Sequence, residues 1–219
     1  MSHSISLSKN QSVSLKKADG SSLKKVFMGL SWSAGGAKVV QETVKPGFFG
    51  RLMGQTEQVV THRVGGGSDI DLDSSVVCFD ASGRVVDTVW FRQLTGLNGA
   101  IQHSGDDRSG GDGKSDNERI NIDLSRVPSN VTTLVFTVNS FTGETFESIG
   151  LARCRLVDAD TNEEKASIDL AASGKHQGVI MAKVYRVGSG WDIKSIAEIG
   201  NGSSSRTIDS LMPQIKAHL

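Results

Sequence analysis

The chain has 219 residues, 37% of them hydrophobic, and its 24 basic side chains balance 24 acidic ones. This length suits one domain with a real hydrophobic core, and the zero net charge gives no indication of binding to nucleic acid or to an acidic membrane. No apolar run approaches the roughly twenty residues that cross a bilayer, so we expect no transmembrane segment. Residues 1–4 are not followed by the apolar block of a secretory signal, so we expect a cytoplasmic protein.

Short segments rich in Val, Ile, Thr and Phe alternate with clusters of Gly, Ser, Asn and Asp along most of the chain, which is typical of strands and turns. Strands at this density predict an all-β protein, a two-sheet antiparallel β-sandwich. The predicted strands, in chain order, are residues 5–7, 12–15, 25–31, 71–80, 85–91, 118–123, 133–140, 151–158, 164–169, 178–186 and 191–199.

Residues 33–68 do not fit the pattern of the sandwich, and we predict that they form an inserted arm. Within the arm, residues 37–44 and 55–64 would pair as a hairpin. The tip of this hairpin carries four large apolar side chains, Phe48, Phe49, Leu52 and Met53. Two interpretations stay open, because an apolar loop tip can mark a contact surface, or it can fold back on the domain or lack a fixed structure.

Two acidic segments dominate the polar chemistry of the chain. In the first, Asp69, Asp71 and Asp73 alternate along a strand and so share one face. The second, residues 105–118, holds five carboxylates and four glycines in fourteen residues. Crowded carboxylates repel one another unless a cation lies between them, and glycines let the backbone bring several oxygens to one point. The two segments predict a calcium site, with a merely solvated acidic loop as the alternative.

The end of the chain predicts a linker, at residues 200–205, and a short helix. Apolar residues recur there at the spacing of one helix face: Ile208, Leu211, Met212, Ile215 and Leu219. Because a helix tolerates proline best in its first turn, Pro213 favours Ser210 over Thr207 as the N-cap. We predict that the helix docks on the domain. The chain then divides into a sandwich at 1–199, with the arm at 33–68, and a linker with a helix at 200–219.

Several ordered motifs resemble the tellurite-resistance TerD family, and the likeness covers about residues 4–200 apart from parts of the arm. The motifs of the whole family are residues 5–9, 28–32, 69–75, 105–118 and 122–128. Three further segments resemble the TerZ branch most, namely residues 89–94, 135–141 and 152–158. The resemblance implies a bacterial, cytosolic β-sandwich that binds Ca²⁺ in paired sites and belongs to stress operons for tellurite, phage and colicin resistance.

The resemblance also implies the metal ligands, which we carry over to Asp71, Asp73, Asp106, Asp107, Asp116, Asn117 and Glu118. The loop departs from the family pattern because it is one residue longer. Asn117 replaces an acid, Asp107 stands where the family has asparagine, and Asp112 has no clean counterpart. Since the number of charged ligands tunes calcium affinity, we expect two ions with one site weakened.

Two classes of function remain at this point. The first is a calcium-binding module, not an enzyme, that assembles with other stress-operon proteins, with assembly at a membrane as an open option. The second is a metal-dependent hydrolase, in which His103 beside the acidic loop would be the general base, although a surface or capping histidine is the preferred interpretation.

Cys78 and Cys154 lie in apolar strands, which favours reduced core thiols over a disulfide or ligands for tellurium. Arg153 and Arg155 would pair with acids or bind an anion.

Overall fold

The computed structural model describes residues 5–17, 19–34, 38–44, 58–64, 70–111, 115–146, 149–170, 176–200 and 207–219. The strands in this part of the chain are β1 (Ile5–Ser6), β2 (Ser12–Ser14), β3 (Lys25–Ala34), β4 (Lys38–Val44), β5 (Gln58–Val64), β6 (Leu72–Asp80), β7 (Val85–Val89), β8 (Thr95–Gly96), β9 (Ile101–His103), β10 (Glu118–Asp123), β11 (Val131–Ser140), β12 (Ile149–Asp158), β13 (Glu163–Asp169), β14 (Gly178–Val187) and β15 (Gly190–Ile199). A 3-10 turn, Leu97–Gly99, separates β8 from β9, and the helix α1 spans Ile208–Lys216.

The strands form two main sheets, which confirms the predicted all-β sandwich. One sheet has seven strands in the order β1-β13-β12-β3-β10-β9-β8, and the other has six in the order β2-β15-β14-β11-β6-β7. Neighbouring strands are antiparallel, except that β1 runs parallel to β13. Successive side chains of a strand point to opposite faces of its sheet. On β6, Leu72, Val76 and Cys78 therefore share one face, and they pack in the core between the two sheets.

The predicted hairpin of the arm is present as a separate two-stranded sheet. Strands β4 and β5 pair in antiparallel register from Lys38 with Val64 to Val44 with Gln58. The predicted apolar tip lies outside the described residues, and with it Phe48, Phe49, Leu52 and Met53.

Helix α1 covers the outer face of the six-stranded sheet, which confirms the predicted docking. Leu211 and Ile215 are fully buried against Val77 and Phe79 of β6 and other residues of that face. The predicted N-cap is wrong, because Thr207 occupies the N-cap position, without a capping hydrogen bond from its side chain, and Pro213 is the sixth residue of the helix. Proline there removes one backbone hydrogen bond of the helix. Burial of two large side chains on the sheet outweighs that loss, since each stabilises the fold by about 1.5–3 kcal/mol.

Cys78 and Cys154 are buried and free, which confirms the predicted core thiols. They belong to different sheets, and the Cys154 Sγ lies 2.9 Å from the Sδ of Met28. Burial raises the pKa of both thiols above the ordinary value, so neither forms a thiolate readily at neutral pH.

Strand register brings both acidic segments to one end of the sandwich, which we call the acidic end. There β6 begins with Leu72 opposite Ser140 of β11, and β10 begins with Glu118 opposite Leu30 of β3. Strand β9 ends nearby, since His103 pairs with Ile120. The acidic loop connects β9 to β10 and therefore leaves and re-enters the fold beside the start of β6.

Candidate metal centre

Three aspartates converge at the acidic end. Asp71 and Asp73 lie two residues apart at the start of β6, so both carboxylates point to the same side, and Asp106 reaches them from the loop after β9. One carboxylate oxygen of each lies within 4.8 Å of the others. Asp71 and Asp73 are almost completely buried, with 4% and 5% of their surface exposed, whereas Asp106 is exposed. The group is therefore half embedded in the protein and open to solvent on one side.

The electrostatics of this group show an excess of negative charge. Burial, together with the neighbouring Glu118, Asp71 and Asp106, raises the pKa of Asp73 to about 8. Burial and the charges of Asp106 and Glu118 raise the pKa of Asp71 to about 6. In addition, Asp71 Oδ1 is buried and accepts no hydrogen bond within the described residues. A cation with oxygen ligands would compensate both the charge and this oxygen, so the residues fit a hard metal ion such as Ca²⁺.

Glu118 is a fully buried carboxylate that ties the two sheets together beside the aspartates. Its Oε2 accepts hydrogen bonds from the backbone N–H of Ser74 at 2.8 Å and from the Ser74 hydroxyl at 2.7 Å. Its Oε1 accepts a longer hydrogen bond, 3.4 Å, from the backbone N–H of Asp107. Glu118 thus fixes the start of β6 against the loop and adds its charge to the cluster.

His103 completes this buried group. The backbone N–H of Gly105 donates to Nδ1 at 3.1 Å, so Nδ1 is an acceptor and the ring carries its proton on Nε2. Nε2 faces the Ser74 hydroxyl at 3.1 Å and the Glu118 carboxylate at 3.5 Å. Because the Ser74 hydroxyl donates to Glu118 and not to His103, this arrangement differs from a nucleophile activated by a histidine base. His103 is a buried, capping residue and does not lie on the surface.

Asp107 and Asn117 form the edge of the centre. The Asn117 Oδ1 accepts from the backbone N–H of Trp32 at 3.0 Å, and its Nδ2 donates to Asp107 Oδ2 at 3.0 Å. Asp107 also accepts from the backbone N–H groups of Ser109 and Gly110. Burial opposes the ionisation of Asp107, but hydrogen bonds from Asn117, Ser109 and Gly110 outweigh it and hold its pKa below the ordinary value.

Replacing Asn117 by aspartate is expected to destabilise the protein in the presence of a chelator. The change removes the hydrogen bond to Asp107 and sets a second carboxylate against it, which costs about 1–3 kcal/mol. Calcium should recover part of this loss, because the new charge is close to the cluster. Urea denaturation with chelator and with calcium measures both effects, and equal stability of the variant and the parent protein in chelator would contradict the role of Asn117 as a bridge.

Asp116 does not join the cluster. Its carboxylate, whose side chain is 1% exposed, accepts two hydrogen bonds from Arg155, at 2.7 and 2.8 Å, and one from Arg119 at 2.8 Å. Both arginines also lie over the ring of Phe27. Together with the hydrogen bond from Arg153 to Glu164, these contacts confirm that the arginines of β12 pair with acids. Asp116 therefore ties the loop to the outer face of the seven-stranded sheet.

Gly29 makes the position of Asp116 possible. A Cβ at residue 29 would lie 2.5 Å from the Cγ of Asp116, which Arg155 and Arg119 prevent from moving away. Gly29→Ala is therefore expected to lower the free energy of unfolding by about 1–3 kcal/mol, a typical cost of overpacking. Thermal denaturation of Gly29→Ala alone and combined with Asp116→Ala tests this, because the second change removes the clash. A cost that is the same in both backgrounds would contradict the explanation.

Trp32 is a residue of the site that the sequence analysis did not single out. It is fully buried near the end of β3. Its indole Nε1 donates to the carbonyl of Ile70 at 2.7 Å, and its backbone carbonyl accepts from Gly111 at 3.0 Å. Its backbone N–H donates to Asn117. The sequence offers one signal for this role. Trp32 is a large aromatic residue with a polar N–H, and it lies in the strand that precedes the arm. Asp69 and Asp112 lie outside the described residues.

The comparisons with known proteins agree with this fold. The model of the TerD domain family matches residues 3–211. The chain is 38% identical to tellurium resistance protein TerZ of Serratia marcescens over 96% of both chains. It is also 33% identical to stress response protein SCP2 of Bacillus subtilis, over 95% of this chain and 97% of that one. A crystal structure of a homologue of telluride resistance protein (TerD) from Streptomyces coelicolor A3(2) aligns with a TM-score of 0.60 at 17% identity, over 86% of this chain and 98% of that one.

The molecule is thus a two-sheet β-sandwich with an embedded acidic cluster at one end. The chain belongs to the TerD domain family of tellurium-resistance and stress proteins. The relatives named above are called resistance or stress proteins and not enzymes. Among the described residues, no helix combines the length and the apolar character that crossing a membrane requires.

Proposed function

We propose that this protein is a calcium-binding module of a bacterial stress response, of the tellurite, phage and colicin resistance type. It acts in the cytoplasm by assembly with partner proteins, other products of the stress operon, and not by catalysis. The observation that carries the proposal is the convergence of Asp71, Asp73 and Asp106, with oxygens within 4.8 Å of one another and two of the residues buried.

These three aspartates would hold the ion, and Glu118 and Asp107 would add negative charge around it. Calcium suits the centre better than magnesium, because Ca²⁺ accepts six to eight oxygens in variable geometry whereas Mg²⁺ requires a near-ideal octahedron. The glycine-containing loop between β9 and β10 carries further carboxylate and carbonyl oxygens that could bind the ion. The second ion of the expected pair has less support, because Arg155 and Arg119 already bind the carboxylate of Asp116.

Control of assembly follows from the charge of the acidic end. Without a cation, its carboxylates repel any acidic surface that approaches. Calcium would neutralise them and order the loop that carries Asp106 and Asp107, so that a partner could bind there. Since the fully buried Glu118 and His103 are held by hydrogen bonds to Ser74 and Gly105, they are better placed to maintain the shape of the centre than to transfer protons.

Calcium is expected to bind with a measurable heat and to raise the melting temperature. An ion that binds only the folded state stabilises it by RT ln(1 + [L]/Kd), which is about 2.7 kcal/mol at a concentration a hundred times Kd. Magnesium should have a much smaller effect at the same concentration. Calorimetric titration and thermal denaturation test this, and a melting curve unchanged by millimolar calcium, without heat on titration, would refute calcium binding.

The assembly step needs its own experiment. The tagged protein is incubated with bacterial lysate in calcium and in chelator, and the proteins that co-purify are compared with those that the Asp73→Asn variant recovers. We expect partners that depend both on calcium and on Asp73. Partners that are identical in all conditions would mean that calcium has a structural role only.

A further inference from the structure

A small pocket opens directly beside the metal centre. It lies on the outer face of the six-stranded sheet. Asp73 is on the same face of β6 as Val77 and Phe79, and these two residues pack against helix α1. The pocket has a volume of about 110 Å³, and its walls include Asp73, Arg92, Phe91, Phe141 and Ile208 of α1. One wall is therefore a carboxylate of the candidate metal centre, and further walls are aromatic, aliphatic and cationic. The polar side chains of Ser75, Asn139 and Thr207 complete the lining.

The aromatic wall is partly open to solvent. Phe91 packs edge to face between two rings, with its centroid 5.0 Å from that of Trp90 and 5.6 Å from that of Phe141. Phe141 nevertheless keeps 43% of its surface exposed, and Trp90 and Phe91 are half-buried. An exposed ring that other rings hold in place is a platform on which a further flat group can pack without a large loss of conformational entropy.

Arg92 supplies a positive charge at the same pocket. Its guanidinium lies 5.5 Å from the centroid of Trp90 and 5.1 Å from that of Phe91, so the aromatic rings orient it. Arg92 is exposed, and it forms no salt bridge with the acidic residues in the described part of the chain. Its donors are therefore available to an anion from solution, and a planar guanidinium binds a carboxylate in bidentate geometry.

We infer that this pocket is a binding site for a small organic anion, a carboxylate carried on a flat apolar ring. The carboxylate lies between Arg92 and the cation held by Asp73, and the ring packs on Phe91 and Phe141. The pocket is smaller than the cavity of about 150 Å³ that accommodates benzene. Because its aromatic wall is partly open to solvent, it takes a single ring with one side of that ring left exposed. This inference rests on the proposed calcium binding, since without the cation the carboxylates of Asp71, Asp73 and Asp106 repel the anion.

The test is calorimetric titration of the calcium-saturated protein with benzoate. Acetate carries the anion without the ring, and benzyl alcohol carries the ring without the anion. We expect benzoate to bind at least about tenfold more tightly than either, because aromatic contacts and charge-assisted hydrogen bonds each contribute roughly a factor of ten. Benzoate binding no tighter than acetate binding would overturn the inference.

Two variants identify the residues, and each has a matched control. Arg92→Gln removes the charge and Phe141→Ser removes the exposed ring, and each should weaken benzoate binding about tenfold. The controls are Arg84→Gln, an arginine with 82% of its side chain exposed at the other end of the sandwich, and Leu94→Ser, a residue with 42% exposure. Both controls should bind benzoate like the parent protein. Equal losses in the variants and the controls would overturn the inference.

The same experiment separates this inference from the proposed function. The calcium titration is performed first, without benzoate, and it reports calcium binding alone. If calcium binds and benzoate does not, the organic-anion site is refuted and calcium binding stands. If calcium does not bind, the proposed function falls. Benzoate binding of equal strength in chelator would also overturn the inference, because the anion would then not contact the ion.

Discussion

Asp73→Asn is expected to raise the melting temperature of the protein in chelator and to abolish most of the stabilisation by calcium. The asparagine keeps the size of the side chain but removes a buried carboxylate that Glu118, Asp71 and Asp106 repel. Because the folded protein raises the pKa of Asp73 to about 8, the parent protein must either bury a charge or take up a proton there. Asparagine avoids that cost, so the free energy of unfolding should increase by about 1–3 kcal/mol, which is roughly 2–12 °C for a domain of this size. Loss of a charged ligand should raise the calcium dissociation constant on the order of 100-fold.

Asp192→Asn is the matched control, because Asp192 lies on β15 at the opposite end of the sandwich and is only half-buried. It should change neither the stability in chelator nor the calcium affinity. A stabilised Asp73→Asn variant that still binds calcium like the parent protein would show that Asp73 destabilises the fold but is not a calcium ligand. A variant less stable than the parent in chelator would show that the cluster is not repulsive.

The stability of the protein in chelator is expected to fall as the pH rises from about 4 to about 8. Asp73 and Asp71 have a pKa of 3.8 when unperturbed, and the folded protein raises these values to about 8 and about 6. The folded state therefore binds more protons than the unfolded state across this range. Each such group lowers the free energy of unfolding by up to about 1.4 kcal/mol per pH unit until its folded pKa is reached.

Calcium should remove this fall, because it binds the deprotonated carboxylates and displaces their protons. Its affinity should accordingly rise with pH over the same range. Urea denaturation at pH 5, 6, 7 and 8, with chelator and with calcium, measures both effects, and the Asp73→Asn variant separates Asp73 from all other titrating groups. A parent protein and a variant with the same pH dependence in chelator would contradict the assignment.

Much of the fold could be predicted from the sequence because its signals are local. Strand β10 begins and ends where the alternation of Ile120 and Ile122 with polar residues predicts, at 118 and 123. Turn residues are equally local, and Gly83 has the positive φ of 74° that the turn after β6 requires. The short strands β8 and β9 were missed, since two or three residues are too few to show alternation.

The start of α1 shows how tertiary packing overrides a local rule. Pro213 predicts a helix that begins near residue 210, and a free peptide would obey that preference. In the folded protein, the turn that precedes Leu211 brings Ile208 against the same cluster on the outer face of the six-stranded sheet that buries Leu211 and Ile215. The apolar contact with the sheet is non-local, so no pattern within residues 207–219 contains it.

The candidate site likewise has one part that the sequence predicts and one part that only the fold decides. The sequence by itself determined that Asp71 and Asp73 share a face, because the period of a strand is two, and that a glycine-rich acidic loop follows in the chain. Only the tertiary structure decided which loop acids meet them. Asp106 reaches the pair, whereas Asp116 lies over Gly29 between Arg155 and Arg119. A glycine-rich loop can bend in many ways, and the arginines that select one of them belong to strands that only the folded sheet brings together.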